Sequence, residues 1–176
     1  MNPYSGRYGF ISFRFNPEFI GSDRSSTMFW AEYRDYFGLS KKRDRHLLAF
    51  WTYGSFVTSG ELPYLDIPAV GWDQFGRSGR AYPQGRFRGE GLAYAEMEYR
   101  FPLQKDKETF GGVLFVNGTT ASNQDADINL FEAIEPGVGV GWRIMLDKNA
   151  RTNLSLDYAW GAYGAQGFYL NVNETF

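Results

Sequence analysis

The sequence predicts an all-β fold: a transmembrane antiparallel up-and-down β-barrel with eight strands in the chain, forming one domain over residues 1–176. Three observations lead there. Side chains alternate apolar and polar with a period of two in eight segments of roughly 8 to 11 residues, the length that crosses a bilayer at a tilt of about 45°. There is no convincing helix, and no run of about 18 apolar residues from which a spanning helix could be built. Aromatics are abundant, with 16 Phe, 12 Tyr and 5 Trp beside 21 Gly. They gather near the ends of the alternating segments, as at Trp30, Tyr36, Tyr99, Phe101, Tyr158 and Trp160, where membrane girdles belong.

In chain order, Gly9 to Asn16 sets Ile11, Phe13 and Phe15 against Ser12, Arg14 and Asn16, and a Pro/Gly/Asp-rich loop follows. Thr27 to Tyr36 opposes Phe29, Ala31 and Tyr33 to Trp30, Glu32 and Arg34. Leu47 to Val57 is aromatic on both parities, so alternation does not fix its facing. The segment 58–88 is an irregular stretch of three Pro and many Gly. It is far longer than ordinary connections, so it is expected to be either functional or disordered, and it is placed as a long extracellular loop.

The clearest strand is Gly91 to Phe101. Ala93, Ala95, Met97, Tyr99 and Phe101 share one face, and Tyr94, Glu96, Glu98 and Arg100 the other. Gly111 to Ala121 follows. In Pro136 to Leu146, Val138, Val140, Trp142, Ile144 and Leu146 alternate with Gly137, Gly139, Gly141 and Arg143, so one face has almost nothing of its own to pack. Thr152 to Trp160 divides the same way, and Gly167 to Phe176 sets Phe168, Leu170 and Val172 against Tyr169, Asn171 and Asn173. Turns after the second, fourth and sixth strands are short and polar, and the first three alternate connections are longer, as for periplasmic turns and extracellular loops.

A soluble sandwich with a charged outer surface is the competing reading of the same alternation. On the barrel reading the charged face turns inward, because a charge on the lipid face costs up to about 2–4 kcal/mol at the midplane. Glu32, Arg34, Glu96, Glu98, Arg100, Arg143 and Asp157 are therefore expected in the lumen.

Several function classes fall away. A formal charge of −2 gives no electrostatic case for nucleic acid. Without Cys there is no disulfide framework and no thiolate metal site. His46, the single histidine, follows a basic turn and reads as a strand-edge residue rather than a base. Glu96, Glu98 and Asp157 lack a nucleophile or partner water and read as a salt-bridge network filling a small lumen. The glycines at 137, 139 and 141 lie inside a strand with no helix after it, which fails the context of a phosphate cradle. Asn123, Asp125 and Asp127 read as a solvated loop rather than a calcium site. No catalytic residue, metal or cofactor is assigned. Met1 to Gly9 is polar and lacks the apolar stretch of a signal peptide, so an exported protein is expected to have lost its leader.

The region from Gly79 onward resembles the bacterial surface-antigen family of outer-membrane assembly factors, which includes BamA and TamA. The likeness rests on Gly79-Arg80-Ala81-Tyr82 in the long loop, Glu98-Tyr99-Arg100-Phe101-Pro102 ending the next strand, Phe115-Val116-Asn117 in the one after, and the terminal strand of Phe168, Leu170, Val172 and Phe176, the barrel signal. Asn2-Pro3 with Gly6, and Leu62-Pro63 with Gly71-Trp72, are weaker echoes. The resemblance implies that Arg80 reaches into the barrel and meets Glu98, with Asn117 accepting a hydrogen bond. The family's motif glycine is Ala81 here, suggesting a backbone that need not take positive φ, and Asn117 stands where Asp is usual. Family barrels generally have sixteen strands and preceding periplasmic domains, so the chain looks like the C-terminal half of such a barrel or a miniature.

The resemblance implies a non-enzymatic outer-membrane protein that assists insertion of membrane proteins or perturbs the bilayer, with membrane lipid and unfolded outer-membrane proteins as partners. The alternative is an inert or adhesive barrel serving as an anchor; a membrane-embedded enzyme would need a His or Ser converging on carboxylates, and none does. Two closures are open: one chain closing on itself with the long loop outside as a cap, or a homodimer sharing a wider wall. Self-closure is favoured, since it carries no dimerisation cost and inward charges from Arg14 to Asp157 can satisfy one another across a narrow lumen.

Overall fold

The computed structural model describes residues 2–104, 109–123 and 126–176. Eight strands follow in chain order: β1 (Gly6–Asn16), β2 (Ser26–Gly38), β3 (Leu47–Gly60), β4 (Gly91–Pro102), β5 (Phe110–Ala121), β6 (Glu135–Asp147), β7 (Thr152–Gly161) and β8 (Gln166–Val172). Each pairs antiparallel with its sequence neighbours, giving one sheet in the order β1 to β8. Single 3-10 turns lie at Glu18–Ile20, Tyr64–Asp66 and Ala162–Gly164. The short turns close locally. At the β6–β7 turn the Asp147 carboxylate accepts the N–H groups of Asn149 and Ala150 at 2.7 and 3.0 Å. Of the expected β4–β5 turn, residues 105–108 lie outside the described residues.

The period of two is expressed as burial. On β4, Leu92, Tyr94, Glu96, Glu98 and Arg100 are buried on the concave face, and Met97 is exposed on the convex one. On β6, Val138, Val140 and Trp142 are exposed on the convex face while Arg143 is buried. The facing of β3, ambiguous in sequence, is set by its neighbours: Leu47, Ala49, Trp51, Tyr53 and Ser55 turn inward. The concave face carries two apolar clusters, one around Trp51, Tyr53 and Tyr94 and a smaller one around Val113, Phe115 and Ala159. Space beside the glycines of β6 is occupied. A Cβ at Gly137 would stand 2.6 Å from Asn117 Oδ1 and 2.8 Å from the Arg80 carbonyl oxygen.

Three expectations need correction. The last strand does not run to Phe176: it ends at Val172, Asn173 takes a positive φ of 74°, and Glu174, Thr175 and Phe176 turn into the concave face, where all three are buried. Glu174 shares parity with Leu170 and Val172, so a continued strand would have put its charge on the apolar convex face. Among the described residues no ladder joins β8 to β1, so the expected closure within one chain is not seen. Finally, the long loop is not an outside cap. Val70, Arg80, Ala81 and Tyr82 are buried within the concave face, and an eight-strand closure has room there only for side chains.

Candidate functional site

The loop between β3 and β4 covers residues 61–90 and is shaped by its own polar side chains. Asp73 accepts the N–H groups of Phe75, Arg77 and Ser78 at 3.0, 3.0 and 2.8 Å, curling 73–78 into a turn. The Ser78 hydroxyl then accepts the Gly71 N–H and bonds the Tyr53 hydroxyl, both at 2.8 Å, fastening the turn to β3. At Gly79, with φ of 76°, any Cβ would run into the Val70 side chain, so glycine is required there on two counts. Ala81 also has positive φ, 103°, contrary to the expectation from its side chain. The neighbouring bonds hold it there: its N–H donates to the Tyr169 hydroxyl at 2.9 Å, and the Tyr82 hydroxyl donates to Pro136 O at 2.6 Å and accepts Ala162 N–H at 2.8 Å. One short stretch thus grips β6, the β7–β8 connection and β8.

This backbone aims Arg80 at two walls at once. Its guanidinium donates to Glu96 at 2.5 Å, to Glu98, and to Asp157 of β7 at 2.8 Å, and its carbon lies 3.5 Å from the centre of the Phe115 ring. Burial alone would pull the Arg80 pKa down, but Glu96, Glu98 and Asp157 together raise it well above its ordinary value. Arg100 donates to Glu98 at 2.6 Å and to the main-chain oxygen of Phe176 at 3.1 Å. Arg143 donates to Asp157 and to Glu174, each at 2.5 Å. Three guanidinium groups therefore face four carboxylates, with the Tyr94 hydroxyl donating to Glu96 at 2.5 Å. Buried charges persist only when paired and hydrogen-bonded in this way.

Arg80, Glu96, Glu98, Arg100, Arg143 and Asp157 meet in this single network. Asn117 is at its edge in a role opposite to the expected one: its amide nitrogen donates to the Arg80 carbonyl at 3.1 Å and to Glu96 at 3.4 Å. An Asp could not donate to Glu96. Ala81 and Tyr82 anchor the backbone rather than joining the charges. Phe168, Leu170 and Val172 are exposed on the convex face, whereas Phe176 is buried against Trp51, ring centres 5.3 Å apart. Of the other expected inward charges, Glu32 accepts from Arg34 at 2.6 Å and from the Trp51 indole at 2.9 Å. Arg14 stays exposed beside Asn16 and Asp66 and does not reach the network.

Sequence reasoning missed Glu174, Asp73 and Tyr169. The misplaced charge on the lipid parity of the last segment was the available signal for Glu174. Burial alone would raise the Glu174 pKa, but Arg143 and Arg100 bring it below the usual carboxylate value. For Tyr169 no sequence signal separates an inward tyrosine that caps a loop from one that merely packs. Within the network the Asn117 Oδ1 is buried without a hydrogen-bond partner. His46 sits elsewhere, with Nε2 2.8 Å from the Tyr99 hydroxyl. Asn123 Oδ1 accepts the Ala126 N–H at 3.2 Å, Asp125 lies outside the described residues, and no three potential metal ligands cluster among the described residues.

The sequence matches the Omp85 superfamily domain over residues 1–176. No curated protein matches it. Among solved structures, the fold is similar to that of BamA from Haemophilus ducreyi lacking POTRA domains 1–3, with 16% identity and a TM-score of 0.73. The match covers 97% of this chain and 38% of that one, so the chain spans well under half the length of that relative.

Proposed function

Since the chain belongs to the Omp85 superfamily, we propose that it is a non-enzymatic protein of the bacterial outer membrane that assists the insertion of outer-membrane proteins by disturbing the bilayer beside its seam. The observation that carries the reading is the inequality of the two sheet edges. β1 has eleven residues and β8 seven. At about 3.4 Å per residue and a tilt near 45°, these give heights of about 26 and 17 Å, against an apolar band about 25 Å tall. The wall at β8 is too short for the lipid it meets. Lipid accommodates such a deficit by thinning locally, which lowers the barrier to an incoming strand pair.

The convex face suits that environment, with Leu114, Val116, Val138, Val140 and Trp142 exposed along β5 and β6. The internal charge network supplies what a thinned, strained wall needs, a rigid support on its inner side. The partners on this reading are membrane lipid and unfolded outer-membrane proteins. The test is reconstitution into liposomes with an unfolded barrel client. Faster client folding than in empty liposomes of the same composition supports assistance; equal rates, with the chain fully inserted, would leave an anchor as the function.

A further inference from the structure

The sheet leaves two edges without partners. β1 is exposed along almost its whole length on both faces, including Tyr8 and Phe10 on the concave one, where the corresponding residues of β4 are buried. The outer edge of β8 is equally bare, because the ladders stop at β7–β8 and β1–β2. Unpaired strand edges do not survive in hydrocarbon, where there is no water to satisfy them. Something must pair with both.

The path of the chain narrows what that is. The residues entering β1 do not come from a hairpin alongside it. Asn2 donates to the Arg151 carbonyl at 2.7 Å and accepts the Glu174 N–H at 3.3 Å, and the Tyr4 ring lies under Arg151, so 2–4 cross the mouth of the concave face toward β7. The residues leaving β8 turn inward and are held by Arg100, Arg143 and Trp51. Arg77 of the loop fastens the same point, donating to the Val172 carbonyl at 3.1 Å and to that of Glu174. The residues flanking β1 and β8 thus lie on the inner side of the sheet, away from the open edges. Nor can β1 meet β8 of the same chain, since the loop carrying Val70, Arg80 and Tyr82 fills the interior that closure would need.

Strand direction supplies a partner that fits both edges at once. With eight strands alternating in direction, β1 and β8 run antiparallel. β1 of one copy can therefore pair antiparallel with β8 of another, and a two-fold axis along the barrel makes the second junction identical to the first. Such head-to-tail contacts close when the rotation completes a ring. We propose that two copies of this chain form one sixteen-strand barrel, each copy contributing half the wall and one folded loop to a shared lumen. This inference rests on the reading of the chain as a membrane barrel.

The chain contains no cysteine, so introduced thiols are unique. The experiment places one cysteine at Phe13 on β1 and a second at Phe168, Leu170 or Val172 on β8, scanning register, and oxidises the protein in lipid nanodiscs. The expected result is a denatured band at twice the 20.1 kDa chain mass for at least one pair, with none for Phe13→Cys alone, because the two β1 strands lie on opposite walls. Native mass spectrometry of the unmodified chain should show two copies per particle. A disulfide-closed band at monomer mass, a dimer band from the single-cysteine variant, or one chain per particle with both thiols free would each overturn the proposal. Resistance of the chain to alkaline extraction from vesicles is scored separately: retention with one chain per particle defeats the dimer alone, and release from the membrane defeats the barrel reading beneath it.

Discussion

β1 and β4 carry the same alternation in sequence yet behave differently in the fold. On β4 every inward side chain from Leu92 to Arg100 is buried, because a strand flanks it on each side and the loop covers its inner face. On β1 the inward Tyr8, Phe10 and Arg14 remain exposed. The pattern of two says which face a residue takes; whether that face is buried depends on what the rest of the molecule brings to it. Here it brings Arg80, and the well-packed half of the sheet is the half that Arg80 and its carboxylates reach.

The strongest way to break this contrast is to remove the arginine. Arg80→Ala leaves Glu96, Glu98 and Asp157 short of a buried partner and is expected to destabilise the fold by about 3–5 kcal/mol, read as a lower urea midpoint in detergent. Glu98→Gln should be harmful as well, and the double variant less than additive because the two groups touch. Additive effects would mean the contact contributes nothing of its own. Arg14→Ala, at the open edge, should fall within about 0.5 kcal/mol of the parent.

Glycines give the next largest contrast. A methyl group at Gly137 meets Asn117 and the Arg80 backbone, while one at Gly9 on β1 meets nothing within 4 Å. Gly137→Ala is expected to cost about 1–3 kcal/mol by overpacking and Gly9→Ala to be near neutral, both measured by the same unfolding curves. Equal effects would contradict the account of which half is filled. Ala81→Gly should move stability the other way, by about 0.5–1 kcal/mol, through relief of the positive φ.

The smallest effect concerns pH. Glu174 has a depressed pKa when folded, so its contribution is present above the ordinary Glu value of about 4.3 and is lost as pH falls through the lower folded value. Comparison of unfolding midpoints at pH 7 and in that acidic range should show a pH-dependent loss that Glu174→Gln reduces. An identical loss in the variant would place the acid sensitivity elsewhere.

Strand number, order and, outside β3, facing were legible in the sequence because most strands alternate apolar and polar side chains with a period of two. Seven of the eight strands run within three residues of their expected bounds. The loop was harder. Its length announced importance, and the Gly79-Arg80 resemblance pointed to Glu98, but nothing local showed that Asp157, seventy-seven positions away, would share the same guanidinium. Ala81 misled because tertiary bonds from Tyr169 and Tyr82 outweigh its intrinsic backbone preference. The closure expectation, which the sheet does not bear out, weighed lumen charges against one another without the loop that they hold.

The central claim is a wall with lipid outside and a packed interior, and two native tryptophans test it most directly. Trp142 is exposed on the convex face and Trp51 is fully buried on the concave one. In single-tryptophan variants with the other four replaced by Phe, reconstituted in bilayers containing brominated acyl chains, the account predicts strong quenching of Trp142 and little of Trp51. Equal quenching of the two, or none for Trp142, would contradict it.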